Sequence, residues 1–185
     1  SHMPMRIEIR MKKLNSKSWS WVRINGLARR DKQRRPVMLV GVWVNITRRK
    51  TAELRAAEDR DLFHTLIEHI PDSIYFKNRE SRFVLANTAT ANKLGVPTPA
   101  DLTGRTDDYF FDQTMSDVSR KEELDIMATG RPIRARLHHE TWLHKDDSWS
   151  QISKFPWYGR NGDLKGIVGI SSDVTKLVKT EIKAT

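Results

Sequence analysis

The chain of 185 residues is 38% apolar and 30% charged, and it has no cysteine. That excludes disulfides, thiolate nucleophiles and cysteinyl metal or flavin-adduct chemistry, and it fits a cytoplasmic location; no apolar run approaches the ~18 residues a membrane span needs. The formal net charge of +10 is carried by the first part, since residues 1–60 hold 16 Lys and Arg against 5 Asp and Glu, while residues 61–185 hold 17 against 18.

Ser1-His2-Met3 reads as a cloning scar (residues 1–3) and is left out of the fold reading. Arg6 to Leu14, Trp19 to Ala28 and Val37 to Asn45 are runs rich in β-branched and aromatic residues separated by polar turns, which predicts an antiparallel meander. Much of the excess positive charge falls in the turn Arg29-Arg30-Asp31-Lys32-Gln33-Arg34-Arg35 and in Arg48-Arg49-Lys50 at a helix start. Solvated surface accounts for both, so nucleic acid is not an expected partner. Thr47 suits the N-cap of a helix over 48–70, where Leu54, Leu62, Phe63, Leu66, Ile67 and Ile70 recur at helical spacing until Pro71.

Two further strands, Ser73 to Lys77 and Arg82 to Ala86, are joined by the polar turn 78–81. A helix over 88–94 is expected to end at Gly95 and a short one to start at Thr98-Pro99, with a longer helix over 114–129 closed by Gly130. Strands over 131–143, 148–158 and 164–173 complete the chain, the last two joined through Asn161-Gly162-Asp163.

The two ends of this series repeat. Ser18-Trp19-Ser20 returns as Ser148-Trp149-Ser150 after 130 residues, and Val40-Gly41-Val42 with Asn45-Ile46-Thr47 returns as Val168-Gly169-Ile170 with Asp173-Val174-Thr175 after 128. This spacing suggests a turn two residues longer in the first copy and a module of about 130 residues, a usual domain size. Residues 4–47 are then expected to be the C-terminal third of one module, 48–70 a linking helix, 71–175 a complete module and 176–185 the start of a second linking helix.

The residues of the second module carry a family resemblance: Ile74-Tyr75-Phe76-Lys77-Asn78-Arg79 leading to Ala86-Asn87, Gly104-Arg105-Thr106-Asp107-Asp108-Tyr109-Phe110, Glu140-Thr141-Trp142, Ser153-Lys154-Phe155-Pro156 and Gly169-Ile170-Ser171-Ser172-Asp173-Val174-Thr175. Together they resemble a PAS domain with its PAC motif, the sensory module of bacterial signalling proteins, and residues 4–47 resemble the last three strands of another, in tandem. The resemblance implies an α+β fold with a five-stranded antiparallel sheet curved around a pocket that short helices cover on one face. It also implies that Asp173 and Thr175 launch a helix carrying the signal onward. The equivalent first helix would form a homodimer through Leu62, Leu66 and Ile70, although no strict heptad is sustained.

Alternation along strands puts His138, Glu140 and Trp142 on one face, and Ser150, Ile152 and Lys154 on one face of the next strand. The resemblance implies that these sets point into the pocket with Tyr75, Lys77 and Ser171, where Glu140 and Lys154 could pair with each other or with a ligand. The ligand and any cofactor stay unknown: there is no cysteine for a flavin adduct, and helix 114–129 has no histidine to ligate haem, which is not expected. His138, His139 and His144 do not share a face with Glu140 as a set, so no metal site is expected.

No phosphate-binding loop or activated nucleophile is present, so this segment is not expected to be an enzyme. An output domain of the histidine kinase or diguanylate cyclase type, as in a two-component system, would act on its state. Two functions follow: small-molecule sensing, or an interaction module without ligand whose pocket is filled by Phe83, Leu85, Leu124, Ile126, Ile152 and Ile170. The first three strands would expose Ile7, Ile9, Met11, Val22, Ile24, Val40 and Val42, to be covered by the 48–70 helix together with a second chain, or relieved by strand pairing across a dimer.

Overall fold

A computed structural model describes residues 3–12, 14 and 18–184; Ser1 and His2 of the expected scar lie outside the described residues. The chain divides into two units, 1–63 and 64–185, with the division inside one helix. Among the described residues no helix is long and apolar enough to cross a membrane.

The first unit is a three-stranded antiparallel sheet of β1 (Met3–Lys12), β2 (Trp19–Arg30) and β3 (Pro36–Asn45), in that order, followed by the start of α1 (Thr47–His69). β1 begins at Met3, inside the expected scar, because its backbone pairs in register with Ala28. Glu8 of β1 gathers Arg23, Arg49 and Lys50 within 3.1 Å and ties the first turn of α1 to the sheet. The Lys50 hydrogen bond and the other two cations hold its carboxyl down at about 2. Every residue of β3 is exposed, as are Leu54 and Leu62 of α1, so α1 does not cover the apolar strands as expected. Of the seven residues expected on the exposed face, Ile7, Met11, Val40 and Val42 are exposed, Ile9 and Ile24 are half-buried, and Val22 is buried at 2% exposure.

The second unit is α+β. Its antiparallel sheet has the order β5-β4-β8-β7-β6, built from β4 (Ser73–Asn78), β5 (Phe83–Ala86), β6 (Ile133–Glu140), β7 (Ser148–Tyr158) and β8 (Leu164–Asp173). Between β5 and β6 come α2 (Thr88–Leu94), single 3-10 turns at Pro99–Leu102 and Asp107–Tyr109, and α3 (Gln113–Thr129); α4 (Thr175–Ala184) follows β8. The expected stop signals hold. Gly95 and Gly130 adopt left-handed φ of 73° and 70° and cap the last carbonyls of α2 and α3, a conformation glycine takes without Cβ strain.

The repeat is confirmed in register and corrected in alignment. Trp21, not Trp19, is the counterpart of Trp149. Trp21 N–H donates to Thr47 Oγ1 at 2.8 Å and Trp149 N–H to Thr175 Oγ1 at 2.9 Å. Asn45 Oδ1 accepts from Thr47 N–H as Asp173 Oδ1 accepts from Thr175 N–H. Thr47 thus opens α1 by binding β2, where the N-cap reading had it serve the helix alone. Val22 pairs with Asn45 and Ser150 with Asp173, each a constant 128 residues on, and both hairpins shift register at equivalent positions, Arg29/Arg30 and Trp157/Tyr158. The turns are therefore equal in length; the shared Ser-Trp-Ser triplet was a coincidence of composition.

Candidate functional site

α3 presents three faces to three environments, and that periodicity builds the site. Its apolar anchor Ile126 is fully buried, Met115 joins a core of Phe83, Ala86, Leu102, Phe110 and Phe111, and between them Ser119, Glu122 and Glu123 stand toward the sheet at helical spacing. Across from them Lys77 on β4 and Lys154 on β7 are each 1% exposed. Lys77 Nζ donates to Asp107 Oδ1 at 2.6 Å and to Glu123 Oε1 at 2.7 Å. Lys154 Nζ reaches Ser119 Oγ at 3.0 Å and Glu122 Oε2 at 3.1 Å, and Ser119 Oγ donates to Asp107 Oδ2 at 2.5 Å. Burial pushes the Lys77 ammonium down, but Asp107 and Glu123 outweigh it and the net direction is up; for Asp107 burial pushes up and Lys77 and Lys154 prevail, taking it down. Lys77 and Asp107 are thus held ionised by their neighbours.

A second cluster lies nearer α2. Lys93 Nζ donates to Glu140 Oε1, Ser150 Oγ and Ser171 Oγ, all at 2.7 Å. An ammonium has three N–H donors, so Lys93 is saturated, and one α2 side chain is pinned to β6, β7 and β8 together. The other oxygen of Glu140 accepts from Ser148 and Ser150, and Trp142 Nε1–H donates to Ser148 Oγ. Between the clusters lies a cavity of about 40 Å³ lined by Lys93, Asp107, Glu140 and Lys154 with apolar Phe83 and Ile152.

Of the residues expected in the pocket, Tyr75, Glu140, Ile152, Lys154 and Ser171 line this cavity. Lys77 and Ser150 are buried in the networks beside it. His138 and Trp142 do not line it. His138 Nε2 meets Glu122 Oε1 at 3.0 Å on the other side of α3, and Trp142 stacks on Phe111 with ring centroids 4.2 Å apart. Glu140 and Lys154 do not pair with each other, because each has a nearer partner from a helix, Lys93 for one and Glu122 with Glu123 for the other. Nor do the six apolar residues fill the space together: Phe83, Ile126 and Ile152 are buried, while Leu85, Leu124 and Ile170 are exposed. Strand alternation could not find Lys93, Ser119, Glu122 or Glu123, which come from helices. The available signal was a pair of acids, Glu122-Glu123, breaking the apolar face of α3 one turn before Ile126.

Glu122 gives this network a pH dependence. Burial pushes its carboxyl up, but the His138 hydrogen bond and Lys154 overcome that and hold it at about 2, against an ordinary 4.5. The folded value lies below the unfolded one, so the ionised carboxylate contributes its full stability above pH 4.5 and loses it as the pH falls toward 2. Glu122→Gln is expected to flatten the fall in thermal midpoint over that window relative to the parent chain. Parallel curves for the two proteins would contradict the assignment.

The helices at either end of the unit are tied to the same sheet. Leu62 and Leu66, expected in a dimer contact, are 64% and 62% exposed, while Ile67 is buried and Ile70 half-buried. Asn87 is fully buried, with Nδ2 donating to the carbonyls of Ile67 and Asp72. Asp173 and Thr175 form the β8–α4 junction already described.

Known proteins are similar to this chain. The Methanogenesis regulatory histidine kinase FilI of Methanothrix harundinacea is 23% identical over 121 residues, which cover 65% of this chain and 13% of the kinase, so the chain spans a small part of that relative. VqmA of Vibrio cholerae, solved with ligand and DNA, matches with a TM-score of 0.55 and 22% identity over 64% of this chain and 51% of VqmA. The PAS domain of BvgS from Bordetella pertussis matches with a TM-score of 0.52 and 24% identity over 69% of this chain and 96% of that domain. These structural likenesses show the fold alone. The family whose model is described as the PAS fold matches residues 67–179, more than half of the chain, and the chain belongs to that family.

Proposed function

We propose that residues 71–175 are the sensory part of a signalling protein, and that the signal is a small polar molecule taken into the cavity beneath α2. The observation that supports this is the bond set of Lys93, which holds α2 to three strands through one ammonium. A molecule with its own hydrogen-bond acceptors competes for that ammonium and loosens α2. Ser150, one of the partners lost, adjoins Trp149, whose backbone N–H meets Thr175 at the start of α4. Release at Lys93 thereby reaches the outgoing helix as a population shift, limited by the ligand's differential affinity for the two states.

In this reading the segment is cytoplasmic, has no catalysis of its own, and forms a homodimer through Leu62, Leu66 and Ile70. It hands its state to an output domain of the histidine kinase or diguanylate cyclase type, a direction the similarity to FilI supports. Residues 4–47 are read as the end of a preceding PAS domain, supported by the identical hairpin register.

A second reading, an interaction module without ligand, is favoured by the cavity's size. About 40 Å³ admits water, far below the ~300 Å³ at which small-molecule pockets begin. Native mass spectrometry of the freshly isolated chain separates the two. Sensing predicts a dimer with a reproducible extra mass per chain, lost in Lys93→Met. A bare mass, with no gain in thermal midpoint across a panel of small organic acids and alcohols, would retire the ligand in favour of the interaction module, and a monomer would retire the dimer.

A further inference from the structure

A second concavity, of about 320 Å³, opens on the outer side of α3, and its wall is acidic. Glu80, Asp107, Asp108, Asp117 and Glu123 line it against a single cation, Arg120. The helix explains the sorting: residues 116, 117 and 120 line this cleft and 115 and 119 the inner cavity, while Glu123, between the two faces, lines the cleft and reaches Lys77 on the sheet. Such a wall raises the local concentration of positive charge.

Acidity alone would mark only a solvated surface. Two lining residues add a separate observation. Ser81 is 4% exposed and Glu123 fully buried, and Ser81 Oγ and Glu123 Oε2 have no hydrogen-bond partner. Glu123 spends its other oxygen on Lys77. Buried polar atoms are nearly always paired, so these two mark where donors from outside the chain fit. The carboxylates are spread along the cleft, and among the described residues no group of three or more acidic or histidine donors could hold a metal ion. An extended cation with N–H donors at both ends suits that spacing better than a compact ion, and the volume is at the lower end of the ~300–1,000 Å³ range of small-molecule sites.

We propose that this cleft binds an organic diammonium or polyammonium cation, with one ammonium directed to Glu123 and Ser81 and the other end to Asp108 and Asp117 at the rim. Binding here requires no occupant of the inner cavity. It shares Asp107 with that cavity, so its occupancy acts on the carboxylates that hold Lys77.

Isothermal titration of the whole chain with putrescine, at an ionic strength of about 0.15 M held by NaCl, tests the assignment. Saturable binding is expected, weakened at least about tenfold by Glu123→Gln. Because Glu123 is also structural, the exposed pair Asp108→Asn with Asp117→Asn serves as the second variant, and it is expected to weaken binding comparably while leaving the thermal midpoint in place. Absence of saturable binding, unchanged affinity in the rim double variant, or saturation by MgCl2 but not by putrescine would each overturn it.

Discussion

Lys77→Met is expected to lower folding stability by about 3–5 kcal/mol, the usual consequence of removing one partner from a buried ion pair. Lys77 is 1% exposed and is the near counter-charge of both Asp107 and Glu123, at 2.6 and 2.7 Å. Without it, the one cation left near Glu123 is Lys154 at 3.8 Å, beside the Ser119 hydroxyl at 3.3 Å, and its second oxygen already lacks a partner. The two carboxylates would then have to protonate, separate or draw in water, each at a cost. Methionine matches the stem's volume, so the loss is electrostatic rather than a cavity effect. Urea unfolding should show a lower midpoint at unchanged slope. Adding Glu123→Gln to Lys77→Met should restore part of the loss, since the pair interacts and single-variant effects do not add. A loss below about 1 kcal/mol would mean that the interior is wetter than its burial implies.

Asn87→Ala comes next, with an expected loss on the order of 3 kcal/mol from several buried groups left unpaired and one helix cap removed. Asn87 Oδ1 accepts from the backbone N–H of Ile74 and of Thr90, both at 3.0 Å, and so both docks β4 and caps α2. Its Nδ2 donates to Ile67 O at 2.8 Å and Asp72 O at 2.9 Å, where α1 ends. Alanine leaves donors and acceptors on three elements without partners at once. The effect should also be local: hydrogen exchange at the amides of residues 67–74 should speed up more than exchange within the β7–β8 pair. Uniform acceleration across the sheet would mean that Asn87 contributes only to global stability and does not join the end of α1 to β4.

Both substitutions fall where the sequence is informative in unequal degree. Asn87 was legible as part of a family motif, but the six hydrogen bonds of its side chain were not, because they reach residues 13 to 20 positions earlier in the chain as well as the next helix. Lys77 was legible as an inward strand residue. Its partners were not, because Asp107 comes from a single 3-10 turn and Glu123 from α3, 30 and 46 residues away.

What the sequence by itself determined was local. β-branched runs and turn residues set the strands, Gly95 and Gly130 set helix ends through the left-handed backbone they adopt without strain, and the 128-residue repeat carried one hairpin register twice. Strand alternation also put Ile152 and Lys154 on one strand face and Glu140 on a face of the neighbouring strand, and the structure has all three lining the cavity. The tertiary structure alone decided how the interior charges pair. Glu140 and Lys154 were the obvious couple from sequence, on neighbouring strands, yet Glu140 takes Lys93 and Lys154 takes Glu122. The physical reason is that a charged side chain withdrawn from water must meet its counter-charge within about 4 Å. Which group lies that close depends on how α2 and α3 pack across the sheet, and neither periodicity nor composition records that packing.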